Sequence, residues 1–191
     1  MTVATRFGEM QEAEFAWWRD YLGHPTARIR MYALYGARYI DFFPDLFFKP
    51  VGAVVEYGAG PLPVLALTKA EKALAVDTLA PRYDDEGMLL GGVPWTENAG
   101  HVSSSEWDTA LLLNVLDHTD EPEALVEQAH RALKPGGKAY LFVHLDQEDP
   151  KHKLVRRDEP ERWFKGWLEL RSNIQLLSCD PPAFVGVYQK Q

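Results

Sequence analysis

From residue 51 onward, short apolar runs alternate with segments whose apolar positions recur at helical spacing. GAVVEY (52–57), KALAVD (72–77), DTALLLNVLD (108–117) and KAYLFVHL (138–145) are almost continuously apolar, as expected of parallel strands covered on both faces. Between the last two lies DEPEALVEQAHRALKPGG. Its Pro122 suits a first helical turn, Leu125, Ala129 and Leu133 share one face, and Gly136-Gly137 stop the helix. Strand, helix, strand in repetition predicts an α/β fold, a parallel sheet with helices on both faces. The end of the chain departs from this. NIQLLSCDPPAFVGVYQKQ reads as two strands parted only by Asp180-Pro181-Pro182, too short for a parallel crossover, so the last strand is expected to run antiparallel. The first fifty residues have another texture. EMQEAEFAWWRDYL places Phe15, Trp18 and Leu22 on one helical face, and TARIRMYALYGARYIDFF does so with Ile29, Ala33, Gly36 and Ile40. Gly23-His24-Pro25 separates them. The expected organisation is an N-terminal helical appendage, 1–50, before an α/β domain, 51–191.

Candidate chemistry concentrates in AVVEYGAGPLPVLALTKAEKALAVDTL, residues 53–79. An apolar run closes on Glu56, turns through Gly58 and Gly60, passes two prolines, becomes helix-like and returns to an apolar run ending in Asp77. Ligands of open α/β sheets bind outside the carboxyl ends of the strands, where glycines allow close backbone approach. Asp77 is placed to accept hydrogen bonds from the two hydroxyls of a ribose. Glu56 would repel a pyrophosphate at the same turn, so the expected ligand is a nucleoside without phosphates there, and a positive group suits it.

These residues carry a resemblance. From about Val51 to its end the chain resembles a class I S-adenosylmethionine-dependent methyltransferase. EYGAGP matches that family's first motif, Asp77 in AVD its ribose-binding acid, EWDTALLLNVLDHTDEP its fourth-strand region, and HRALKPGGKAYLFV the approach to its fifth strand. The resemblance implies a Rossmann-like, mostly parallel seven-stranded sheet, with the antiparallel last strand between the fifth and sixth. It implies S-adenosyl-L-methionine as cofactor, bound by Glu56, Tyr57, Gly58, Ala59, Gly60, Asp77, Thr78, Asn114, Val115 and Asp117. Glu56 would meet the methionine end. Two departures stand out: Leu62 and then Pro63 replace the third glycine, and Gly91-Gly92 stand where the family commonly sets a polar side chain near adenine.

Methyl transfer chiefly needs aligned reactants, and a base only where the acceptor's nucleophile carries a proton. His118, after the fourth strand, and His144, near the end of the fifth, are the catalytic candidates. Their duller readings are a helix cap that shapes its loop and a strand-end histidine. Trp17 and Tyr21 are candidates for the acceptor pocket, as aromatic faces that attract a cation, while helical spacing puts Trp18 in the core. The N-terminal helices and residues 146–167 would build that pocket. Arg28 and Arg30 lie about 200° apart on a helix, so with Arg38 they form no stripe and read as surface charges.

Composition narrows the setting. With 46% hydrophobic and 25% charged residues the chain is an ordinary globular one. A net charge of −8 leans against a nucleic-acid partner, and the leading expectation is a small-molecule acceptor. A lone cysteine, Cys179, suits the cytoplasm, is expected in the core, and gives no zinc signature, so no metal is expected. Neither a leader-like N-terminus nor 18 consecutive apolar residues is found, so no membrane association is expected. Two rival readings remain: a nicotinamide-dependent oxidoreductase, whose G-x-G-x-x-G is broken at Pro63, and a relative that binds cofactor or activates a partner without catalysis.

Overall fold

The computed structural model describes residues 6–147, 149–175 and 181–191. Three helices come first: α1 (Arg6–Leu22), α2 (Ala27–Phe42) and α3 (Pro44–Phe48). Then follow β1 (Ala53–Tyr57), β2 (Lys72–Val76), α4 (Ala80–Asp85), β3 (Trp95–Thr96), β4 (Trp107–Leu113), α5 (Pro122–Ala132), β5 (Leu133–His144), α6 (Glu159–Trp163), β6 (Leu168–Gln175) and β7 (Ala183–Gln189). The strands form one sheet in the order β3-β2-β1-β4-β5-β7-β6. β1 to β5 pair in parallel, and β7 is antiparallel to both β5 and β6. This is the Rossmann-like arrangement that the strand grammar and the resemblance imply. Cys179 lies outside the described residues, and among those described no helix is long and apolar enough to cross a membrane.

Strand periodicity explains the continuous apolar runs. Val55, Tyr57, Ala110 and Leu112 face one apolar cluster, while Val54, Leu111 and Leu113 face another. The second cluster also takes Tyr39 of α2 and Leu46 and Phe47 of α3, so apolar packing is continuous across position 50. A third cluster joins Phe15 and Trp18 of α1 to Met31, Leu62, Leu79 and Tyr83, which lays α1 against the turns at the sheet's carboxyl end.

Three local expectations are corrected. α2 buries Ala27, Met31 and Tyr39 instead of the row from Ile29, and Ile29 is 74% exposed. The expected row steps by four, three and four and the buried row by fours, so both are helical faces and the packing against α1 and the sheet decides between them. α5 ends at Ala132, and Leu133 already opens β5, ahead of the two glycines. The helix-like stretch after β1 is a single 3-10 turn, Val64–Leu67. Pro61 and Pro63 explain it, because each removes an N–H and disfavours helical geometry in the residue before it.

Candidate active site

The turn after β1 is fixed by both neighbouring strands. The Gly58 N–H donates to the Val76 carbonyl at 2.8 Å, and Gly58 has φ +61°; a β-carbon there would lie 2.1 Å from Val115 Cγ2. Only glycine fits such a position. Two residues on, the Gly60 N–H donates to Asp77 Oδ2 at 2.8 Å, and Asp77 Oδ1 accepts from the Leu79 N–H at 2.8 Å. Burial raises the Asp77 pKa to about 6, against the pull of those two N–H groups. Glu56 shares the sheet face of Val54 and reaches beneath the turn, accepting from the Val64 N–H at 3.1 Å and the Leu65 N–H at 2.7 Å. It is buried, and burial outweighs both bonds to raise its pKa to about 8.

Across the crevice, Asn114 follows the last residue of β4, and its φ of +60° turns its side chain away from the strand line. Asn114 Nδ2 lies 3.2 Å from His118 Nε2, and His118 Nδ1 lies 3.2 Å from Glu14 Oε2 of α1. Glu14 Oε1 also accepts from Trp18 Nε1 at 2.6 Å. The contacts fit a neutral ring whose Nδ1–H donates to Glu14 while Nε2 accepts from Asn114. Burial alone would lower the His118 pKa, but the charges of Asp117 and Glu14 prevail and raise it. Burial alone would raise the Glu14 pKa, but the bond and charge of His118, the Lys151 charge and the Trp18 bond together hold it below its ordinary value. His152 packs edge-on to His118, ring centroids 4.4 Å apart, with Nδ1 held 2.7 Å from Asp149 Oδ1.

Two cavities meet at this crevice. The first, about 170 Å³, is bounded by Met10, Tyr57, Val76, Asp77, Thr78, Leu79, Glu97 and Val115 among others. The second, about 300 Å³, takes Trp17, Tyr21, Met31, Tyr35, Arg38, Tyr39, Glu56, Ala59, Gly60 and His152 into its wall. Glu14, Gly58, Asn114, His118 and Lys151 line both.

The structure therefore brings most of the sequence candidates to one place. Tyr57, Asp77, Thr78 and Val115 lie on the first cavity, and Glu56, Ala59, Gly60, Trp17 and Tyr21 on the second. Asp117 and His144 stand in neither wall. Asp117 is 1% exposed behind His118, and His144 is 9% exposed, its ring against Phe142 and its pKa lowered to about 4 by burial and then by the Arg38 charge. Arg38 is half-buried on the second cavity rather than a surface charge. Glu14, Glu97, Lys151 and His152 were not legible as site residues. Glu14 is 104 positions from His118, and His152 is 34, with only tertiary structure to join them. Glu97 offers a usable signal, an acid just past a strand end, but that strand is only Trp95–Thr96, and the sequence pattern points to Gly91-Gly92 ahead of it.

A methyltransferase-domain family profile matches residues 28–179. The chain belongs to the class I S-adenosylmethionine-dependent methyltransferases. This methyltransferase is similar in fold to the N-methyltransferase NodS from Bradyrhizobium japonicum, solved with S-adenosyl-L-homocysteine. The TM-score is 0.67 at 13% identity, covering 93% of this chain and 98% of that one. It is also similar to the 1,6-didemethyltoxoflavin-N1-methyltransferase from Burkholderia thailandensis, solved with 1,6-didemethyltoxoflavin and S-adenosylhomocysteine. Here the TM-score is 0.62 at 15% identity, covering 100% and 92%. A third likeness is the [4+2]-cyclase SpnF, TM-score 0.59 at 12% identity, covering 86% and 80%. No curated protein matches the sequence.

Proposed function

We propose that this methyltransferase moves the methyl group of S-adenosyl-L-methionine onto a small-molecule acceptor, across the wall shared by the two cavities. The observation that carries the reading is the pairing itself. One cavity holds a strand-end carboxylate suited to a ribose, the adjoining one is walled by aromatic side chains, and Gly58, Asn114 and His118 stand at their junction. Asp77 would hold the ribose hydroxyls on lone pairs left beside the Gly60 and Leu79 bonds. Glu97, on the same cavity, would accept from the adenine amino group. The methionine end would run past Gly58 and Gly60 toward Glu56. When bound, the cofactor would supply an electrophilic methyl group and, once the acceptor's lone pair has taken it, a neutral thioether as leaving group. Gly58, Asn114 and His118 would align the acceptor, and a nucleophile that carries a proton would give it up to a base or to solvent. Aromatic faces such as Trp17 and Tyr21 attract the sulfonium before it loses its charge. Alignment of this kind is worth about 7 to 11 kcal/mol.

Two features favour a small acceptor: the second cavity is bordered by α1, α2 and the loop carrying His152, and the chain is acidic, with a net charge of −8. The reading places the enzyme in the cytoplasm. A thermal-shift comparison of S-adenosylhomocysteine, NAD and NADP tests the cofactor. At one hundred times Kd a ligand adds about 2.7 kcal/mol, a rise of roughly 5 to 10 °C for a chain of this size. Stabilisation by a dinucleotide alone would overturn the assignment. Labelled-methyl transfer to a metabolite panel tests the acceptor class, and turnover confined to nucleic acid or protein would exclude a small molecule.

A further inference from the structure

Next to the shared wall, and including its His118, lies a cluster whose Asp117 and His152 have no part in the proposed methyl transfer. Asp117 is 1% exposed, and neither of its carboxylate oxygens has a hydrogen-bond partner. A buried carboxylate in that condition is costly unless a positive group meets it. One donor atom each from Asp117, His118 and His152 lies within 4.8 Å of the others. Both histidines are oriented from behind. Glu14 Oε2 stands 3.2 Å from Nδ1 of His118, and Asp149 Oδ1 stands 2.7 Å from Nδ1 of His152. Carboxylates in that position fix the tautomer and turn Nε2 outward, as they do behind metal-bound imidazoles.

We propose that Asp117, His118 and His152 form a binding site for a first-row divalent metal ion, with Glu14 and Asp149 as positioning residues for the two histidines. The inference rests on the proposed function only for its location, because His118 and His152 both line the second cavity. Two imidazoles and one carboxylate suit Zn(II), Fe(II) or Co(II), and three protein ligands leave coordination positions open toward the acceptor. Donors bind at about 2.0 to 2.2 Å from such ions, so the three side chains draw together on loading. Asn114 yields its bond to His118 Nε2 at the same time; its own Oδ1 is buried without a partner. Lys151 faces the same wall and opposes a cation, against the carboxylates of Glu14, Asp117 and Asp149. His118 then serves as a ligand instead of the base expected from the sequence.

The test uses the whole untagged chain, stripped by chelator and equilibrated with Zn(II) or Co(II). The expected result is one ion per chain and, with Co(II), a visible ligand-field spectrum. His152→Ala should lower affinity at least tenfold, and Glu14→Gln, which leaves all three ligands in place, about tenfold. Circular dichroism confirms that the variants are folded; should Asp117→Asn not fold, those two decide. Absence of a stoichiometric ion, or affinity unchanged in both variants, overturns the site. S-adenosylhomocysteine binding to the stripped protein is measured alongside. If the cofactor binds and no ion does, the site falls and the proposed function stands. If an ion binds and the cofactor does not, the reverse holds.

Discussion

Asp77 accepts the Gly60 and Leu79 N–H groups while it faces the first cavity, so in the proposed function one carboxylate both ties the turn and would meet the ribose. With its pKa raised to about 6, it is ionised at neutral pH and protonated in mild acid. Ribose hydroxyls donate to the ionised form, so binding below that pKa must also release a proton. Affinity for S-adenosylhomocysteine should hold steady above about pH 7 and fall on acidification below about 6, by at most tenfold per unit. Calorimetry from pH 5 to 8 checks this. Asp77→Asn should bind more weakly throughout and with a flatter profile; an unchanged profile would remove Asp77 from the ribose. Because the side chain also holds Gly60, the variant should lose some stability, which its strand-end position in the sequence does not suggest. At Gly58 the strain is steric. Gly58→Ala sets a methyl 2.1 Å from Val115 Cγ2 at φ +61°. Overpacking and left-handed backbone together should cost about 2 to 4 kcal/mol, read as a shifted urea midpoint with an unchanged slope. Pairing it with Val115→Ala should recover the steric part alone.

Glu56 joins β1 to the 3-10 turn that replaces a helix, and this link between elements is where sequence and structure part most instructively. The acid and the glycines were legible because strand-end chemistry is local. The missing helix was half legible: both prolines were in view, but each alone is tolerated in an opening turn. Only together do they delay helical geometry until Val64, by which point Glu56 occupies the Val64 and Leu65 N–H groups. The sequence offers α2 two competing helical faces, and the choice between them depends on what α1 and the sheet present to it. Glu56→Ala strands two buried N–H groups and should cost about 2 to 5 kcal/mol; Glu56→Gln, which keeps one acceptor, should cost less. The pH dependence has a definite sign. The folded pKa of about 8 lies above the model-compound value of 4.5, so between these the folded state holds a proton that the unfolded state has lost. Stability from this group therefore falls as pH rises from about 5 to 8. The margin of wild type over Glu56→Gln in urea should shrink across that range, and a margin that stays flat would show Glu56 ionised throughout it.

For the whole molecule, α1 is the element that closes the site. It supplies Met10 and Glu14 to the first cavity, and Glu14, Trp17, Trp18 and Tyr21 to the second. Gln11 Nε2 meets Thr78 Oγ1 at 2.5 Å, Arg82 pairs with Glu12, and the Trp18 ring stands 3.2 Å from where a Gly60 β-carbon would be. Yet only Met10, Phe15 and Trp18 of its 17 residues are buried. A helix held by so few apolar anchors and by contacts at the cavity rim belongs to the low-stability end of the structure, whereas β1 and β4 are buried on both faces. A fold does not by itself fix the chemistry it carries, and α1 is the covering element that lines both cavities. Ligand entry should then proceed by local opening of α1. Without ligand, amides of residues 10–22 should exchange with deuterium much faster than those of β1 and β4. With S-adenosylhomocysteine at one hundred times its Kd, exchange that requires α1 to lift should slow by up to about 100-fold. If residues 58–60 became protected while α1 exchanged as before, the cofactor would be entering by another route, and the helix would be a wall instead of a gate.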